Sequence, residues 1–125
     1  METKINSFRD LIVWQKAKEL AIRVYKITET FPRAELFGLT NQMRRAAVSI
    51  AANIAEGNKR STRKDYKHFL HNALGSGAEL ESHLEIAEGI GLINTEESKE
   101  IKFFISEVMK ILSTIVKRLS DSSNP

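Results

Sequence analysis

The sequence predicts an all-α protein, an up-down-up-down antiparallel four-helix bundle, with one domain over residues 1–120 and a disordered tail over residues 121–125. Apolar residues recur with the 3.6-residue period of an α-helix in four separate stretches. Only two prolines, Pro32 and Pro125, interrupt the chain, and no stretch alternates apolar and polar residues as a strand does. Because the links between the four stretches are short, consecutive helices should pack side by side in opposite directions.

The first two helices are predicted from their apolar faces and from the residues that stop them. The first covers about residues 11–30 and ends before Pro32, which cannot continue a helix. The second covers about residues 40–56. Gly57 follows directly, and we expect it to cap the end of this helix, as glycine commonly does.

The last two helices carry start signals. Thr62 and Asp65 form a possible capping pair at the start of the third helix, which covers about residues 62–88. Asn94, followed three residues later by Glu97, predicts a capping box at the start of the fourth. A long apolar stripe then carries the fourth helix close to the end of the chain.

Composition excludes several classes of function. The 125 residues contain no cysteine, which rules out disulfides, thiol catalysis and cysteine-ligated zinc. The longest apolar run falls far short of the ~20 residues of a membrane span. The opening segment METKINSFRD lacks the apolar core of a secretory signal. We therefore expect a cytoplasmic protein without membrane contact.

Short polar side chains recur at helical spacing among alanines in the stretch AAVSIAANIAEGNKR, and a matching file lies on the third helix. Gly75 and Gly77 would let another helix approach closely there. We interpret these residues as a structural polar seam between helices or between subunits, with a ligand site and simple exposure as alternatives. The seam comprises Ser49, Asn53, Glu56, Ser76, Glu79 and His83.

The sequence offers little support for a catalytic site or a metal site. Glu79 and His83 are four residues apart and could supply two metal ligands, but no third ligand has suitable spacing. No serine has an evident base, and no glycine-rich phosphate loop links a strand to a helix. We predict no catalytic residue, no metal, no cofactor and no enzymatic activity. A small-molecule or metal site around Asn53, Glu56, Glu79 and His83 remains a third hypothesis.

Charge is unevenly distributed along the chain. Residues 40–75 carry 7 basic and 2 acidic side chains, whereas residues 76–100 carry 1 and 7. The segment NKRSTRKDYKH places a basic cluster where the second helix ends and the third begins, which favours phosphate contacts. The predicted nucleic-acid-binding residues are Arg44, Arg45, Lys59, Arg60, Arg63, Lys64 and Lys67. The alternative is a module without affinity for nucleic acid that recognises a protein partner through the two oppositely charged segments.

Three motifs carry a resemblance to a known family. The stretches DLIVWQKA, LTNQMRRAAVSIAANIAEG and GSGAELESHL resemble the bacterial four-helix-bundle family named for 23S rRNA-intervening-sequence proteins. The resemblance covers about residues 7–115. This chain departs from the family pattern at Ala51, where proline is frequent, and at Gly77, where a bulkier residue is usual.

The resemblance implies a ring-shaped homopentamer without an established reaction. A related group comprises accessory proteins of diversity-generating retroelements, which bind nucleic acid and a reverse transcriptase through basic surfaces of the pentamer. By this analogy the partners are further copies of the chain, RNA or DNA, and a protein partner.

Overall fold

The computed structural model describes residues 7–122, and four long α-helices account for most of them. A short 3₁₀ turn precedes the first helix, and two irregular helical turns link the first helix to the second. No strand occurs among residues 7–122, so the all-α prediction is confirmed. The helices are α1 (Ile12–Thr28), α2 (Asn41–Asn58), α3 (Arg63–Gly89) and α4 (Thr95–Ser122).

The helices pack in chain order, and α4 returns to pack against α1. Arg44 Nε donates to Thr28 Oγ1 at 2.8 Å, which places the start of α2 beside the end of α1. Lys67 Nζ donates to Ser120 Oγ at 3.4 Å, which places the start of α3 beside the end of α4. Neighbouring helices are therefore antiparallel, and the predicted four-helix bundle is confirmed.

The core contains apolar side chains from all four helices. Leu20, Met43, Ile54, Leu80 and Leu112 are each fully buried. Burying one such side chain stabilises the fold by about 1.5–3 kcal/mol. The amphipathic pattern is thus sufficient to explain which side of each helix faces inward.

The predicted helix starts are observed. Glu97 N donates to Asn94 Oδ1 at 2.8 Å and Asn94 N donates to Glu97 Oε1 at 3.0 Å, which is a complete capping box. Thr62 Oγ1 accepts from Asp65 N at 3.1 Å at the start of α3. At the other end of the chain, α4 extends through Ser122. The first two residues of the predicted tail are therefore helical, and residues 123–125 lie outside the described part.

Gly57 is not a helix cap, and that prediction is wrong. It lies buried inside α2, which continues to Asn58. A Cβ atom at Gly57 would lie 2.9 Å from Phe69 Cβ and 3.0 Å from Tyr66 Cδ1. The glycine is needed because the end of α2 and the start of α3 approach each other closely.

The two glycines in the middle of α3 differ in their surroundings. A Cβ atom at Gly77 would lie 2.3 Å from Met109 Sδ, so this position permits the close packing of α3 on α4. A Cβ atom at Gly75 would meet nothing within 4 Å. The predicted close approach of another helix is therefore found within the chain only at Gly77.

Candidate nucleic-acid interface

Three residues of the predicted polar seam form one hydrogen-bonded group between α2 and α3. The hydroxyl oxygens of Ser49 and Ser76 lie 2.8 Å apart. Asn53 Nδ2 donates to the backbone oxygen of Ser49 at 2.9 Å and to its hydroxyl oxygen at 3.1 Å. This part of the seam lies within one chain, and it fixes the position of α2 relative to α3 along the bundle axis.

The other three seam residues make contacts along their own helices. Glu56 forms an ion pair with Arg60, one turn further along the chain. Glu79 Oε2 lies 3.2 Å from His83 Nε2. Both carboxylates are about half exposed, at 50% and 52%. Within residues 7–122, no cluster of three histidine or acidic side chains has the arrangement of a metal site.

The structure divides the predicted nucleic-acid-binding residues into two groups. Arg44 and Arg45 lie near the start of α2, whereas the remaining five belong to the link that follows α2 and to the start of α3. At 1.5 Å per residue, Arg45 and Lys59 are separated by about 21 Å along α2. The five clustered residues are Lys59, Arg60, Arg63, Lys64 and Lys67.

Three further basic residues join the five at the same end of the bundle. The contact between Lys67 and Ser120 brings Lys117 and Arg118 of α4 to this end. The 3₁₀ turn that contains Arg9 packs against both α1 and α2. The basic end, as we call it, comprises Arg9, Lys59, Arg60, Arg63, Lys64, Lys67, Lys117 and Arg118.

Sequence reasoning missed Arg9, Lys117 and Arg118 because only the chain topology brings them together with the link. The predicted antiparallel bundle is nevertheless sufficient to place the residues of α4. In an up-down-up-down bundle, the end of the fourth helix must lie beside the start of the third. Tracing that consequence would have added the two residues of α4.

Some cations of the basic end are held by neighbours, and others are not. Arg60 pairs with Glu56 and places its guanidinium 4.6 Å from the centre of the Phe69 ring. In contrast, Lys64, Lys117 and Arg118 form no ion pair with another residue of the described range. Among residues 7–122, the acidic residues of this end are Asp10, Glu56, Asp65 and Asp121, four against eight basic residues.

Tyr66 contributes packing to the basic end. Its Cδ1 atom would lie 3.0 Å from a Cβ atom at Gly57, and its side chain packs against the hydrophobic core. Burial raises the pKa of the Tyr66 hydroxyl. The ring is therefore occupied by protein contacts.

At the opposite end of the bundle, the end of α3 and the start of α4 carry a cluster of acidic residues, and several charges of this cluster are paired. Lys102 forms ion pairs with Glu85 and with Glu88, the latter at 3.5 Å. The hydroxyl of Ser98 and the ammonium of Lys102 beside Glu88 hold the pKa of that carboxyl below its ordinary value. We call this the acidic end. It comprises Glu85, Glu88, Glu96, Glu97 and Glu100 with the basic residues Lys99 and Lys102.

Arg44 and Arg45 lie on the outer surface of α2, toward the acidic end. Arg44 is fixed by its hydrogen bond to Thr28, and its guanidinium lies 4.7 Å from the centre of the Tyr25 ring. Arg45 has no ion-pair partner among residues 7–122. These two arginines form a site separate from the basic end.

None of the helices in the described range combines the length and the hydropathy of a membrane-spanning segment.

Comparisons with known proteins agree with the fold. A crystal structure of a protein of unknown function from the S23 ribosomal protein family of Bacteroides thetaiotaomicron superposes with a TM-score of 0.77 at 30% sequence identity. The match covers 85% of this chain and 99% of that protein. A search of curated proteins finds no match. The family model described as 23S rRNA-intervening sequence protein matches residues 9–114. The chain therefore belongs to the family of 23S rRNA-intervening sequence proteins.

Proposed function

We propose that the protein is a non-enzymatic scaffold that assembles with copies of itself and binds RNA or DNA through phosphate groups at its basic end. The observation that carries this proposal is the convergence of eight basic side chains from four segments of the chain. Lysine and arginine side chains bind phosphates largely without regard to base sequence. We therefore expect binding with little sequence preference.

The cations of the basic end should contribute unequally to the affinity for nucleic acid. Lys64, Lys117 and Arg118 can turn toward a phosphate without first breaking an ion pair. Arg60 is already held by Glu56 and Phe69, so its guanidinium gains less from a phosphate. The unpaired cations should consequently contribute most of the affinity.

Self-assembly would strengthen this binding. Several copies that present their basic ends on the same side of a ring would add their electrostatic fields over one nucleic-acid strand. The resemblance to the family supports a ring of five. The predicted ring and the predicted binding are therefore parts of one proposal. Each chain has a modest positive charge, and the charges of several chains add up in the assembly.

A pair of matched variants tests the binding. Lys64→Ala/Lys117→Ala removes two unpaired cations from the basic end, and Lys99→Ala/Lys110→Ala removes the same charge elsewhere. We expect the first variant to bind mixed-sequence RNA and DNA probes at least about tenfold more weakly at 50 mM salt, and the second to bind nearly as wild type. The slope of log affinity against log salt should also become shallower by roughly 1–2 for the first variant only.

Two results would overturn the proposal. One is a wild-type affinity that does not fall as salt rises, and the other is an equal loss of affinity in both variants. A stoichiometric protein partner recovered after nuclease treatment, without any affinity for the probes, would instead support the protein-interaction module. Light scattering that returns a mass of 14.2 kDa for the wild type would overturn the self-assembly.

A further inference from the structure

The outer surface between α1 and α2 is a groove of about 610 Å³. Ile22, Tyr25 and Val48 line it and are each more than two-fifths exposed. Ala21 and Ala52 also line the groove, and such small side chains permit the close approach of another helix. The groove is thus an exposed apolar surface shaped for a helix.

The rim of this groove is basic. Lys18 and Lys26 line it, with Glu29 as the one carboxylate among its lining residues. A second cavity of about 520 Å³ shares Tyr25 and Val48 with the groove and also contains Arg44 and Arg45. Because complementary charges favour association, the basic rim favours a partner with an acidic group.

The outward side of α3 presents one half-exposed carboxylate, Glu79, beside exposed apolar side chains. Ile86 and Ile90 are 51% and 59% exposed and lie one turn apart. Gly75 and Glu79 lie on this side at helical spacing, and a Cβ atom at Gly75 would meet open space. We call Gly75, Glu79, Ile86 and Ile90 the α3 face. Neither its exposed isoleucines nor its glycine is explained by contacts within one chain.

The α1–α2 groove and the α3 face lie at matching heights along the bundle. The 2.8 Å contact of the Ser49 and Ser76 hydroxyls places these residues level with each other. From that level, Arg45 and Glu79 lie about 6 and 4.5 Å toward the acidic end. The 92% exposed Phe37 lies four residues before the start of α2, and Ile86 lies ten residues after Ser76, about 15 Å along α3, so both lie toward the acidic end.

We propose that the α3 face of one copy docks into the α1–α2 groove of the next copy. Glu79 then lies opposite Arg45, Ile86 packs against Phe37, and Gly75 lets α3 approach the alanines of α2. The contact joins two different surfaces, so its repetition closes a ring when the rotation between copies divides a full turn. This inference rests on the proposed self-assembly and names the surfaces that carry it.

The docking would also serve the proposed binding of nucleic acid. Because the matched heights align neighbouring copies in parallel, every basic end faces the same side of the ring. A two-fold contact of groove against groove would instead point the basic ends of the two copies in different directions. The first arrangement concentrates positive charge on one surface.

A mixing experiment tests the two surfaces. Val48→Glu/Ala52→Glu places charges in the groove, and Ile86→Lys/Ile90→Lys places charges on the α3 face, all at exposed or partly exposed positions. Each variant alone should have the light-scattering mass of a single chain, 14.2 kDa. An equal mixture should form a dimer and stop there, because each pair retains one intact groove and one intact α3 face.

A charge exchange tests the register. Glu79→Lys should lower the mass of the assembly, and adding Arg45→Glu to the same chain should restore it. Glu81→Lys makes the same change of charge on a side of α3 that lies next to α4, at Ser106 and Met109, so it should leave the mass unchanged. Circular dichroism of each variant shows whether the helices remain intact.

The outcomes separate the two proposals. A wild type of 14.2 kDa overturns the self-assembly and the docking with it. An assembled wild type whose mass is unaffected by the groove and α3-face variants overturns the docking alone. A mixture that stays monomeric, or equal effects of Glu79→Lys and Glu81→Lys, likewise overturns the docking.

Discussion

The two ends of the bundle use their charges differently. At the acidic end, Lys102 bridges Glu85 and Glu88, and Glu97 completes the capping box of α4. At the basic end, Lys64 and Lys117 form no ion pair with another described residue. Charges of the acidic end thus take part in holding the fold together, whereas several of those at the basic end form no such contact within the described residues. The comparison teaches that pairing, rather than charge density, distinguishes the structural cluster at the acidic end from the surface for which we propose binding.

Glycine substitution should produce the largest difference between the two ends. Gly57→Ala at the basic end places a Cβ atom 2.9 Å from Phe69 Cβ, an atom fixed close to the backbone of α3. Overpacking of this kind costs about 1–3 kcal/mol, and the gain in helix propensity of up to about 1 kcal/mol offsets only part of it. Gly89→Ala at the acidic end meets open space and should be neutral or stabilising by up to about 1 kcal/mol.

Urea unfolding of both glycine variants measures this difference. A Gly57→Ala protein at least as stable as wild type would show that α2 and α3 can separate at the basic end without cost. The close approach would then not be a requirement of the fold. The Gly89→Ala variant serves as the control for the general effect of alanine on a helix.

These glycines also show where sequence reasoning succeeds and where it stops. The capping box of Asn94 and Glu97 could be predicted because it depends on residues three apart in one helix. Gly57 was misread because glycine suits both a helix cap and a close approach of two helices, and only the packing partner distinguishes them. That partner, the start of α3, lies across a turn whose geometry the sequence does not specify.

The candidate site divides in the same way. The cluster from Lys59 to Lys67 is local in sequence and was predicted as a group. Lys117 reaches the basic end only through the path of α4, and the distance of Arg45 from this end follows from the direction of α2. A basic cluster within one segment is visible in the sequence, whereas a surface built from several helices requires their arrangement.

The N-terminal caps of α3 and α4 should differ by a smaller amount. Asn94→Ala removes one half of a reciprocal box, and Glu97 then has no Asn94 side chain to receive its backbone N–H. Thr62→Ala removes a single hydrogen bond from Asp65 N. Caps contribute about 0.5–2 kcal/mol, and we expect the acidic-end variant to lie toward the upper part of that range and the basic-end variant toward the lower part.

Thermal and urea unfolding of Asn94→Ala and Thr62→Ala rank the two caps. Serine at each position is the matched control, because its hydroxyl can still accept a hydrogen bond. Equal losses in the two alanine variants would show that the second hydrogen bond of the box adds nothing.

The smallest effect concerns the titration of the paired charges. The pKa of Glu88 is held below its ordinary value by Ser98 and Lys102, so the stability that this carboxylate contributes is present above its unfolded-state pKa and is lost as pH falls through the folded-state pKa. Glu88→Gln should therefore lower stability slightly at pH 7 and make the acid side of the stability profile shallower. Glu81→Gln, at an exposed position for which no ion pair with a described residue is found, should leave the profile unchanged. Urea midpoints between pH 3 and pH 7 measure both, and identical profiles for the two variants would mean that the contacts of Glu88 contribute nothing to stability.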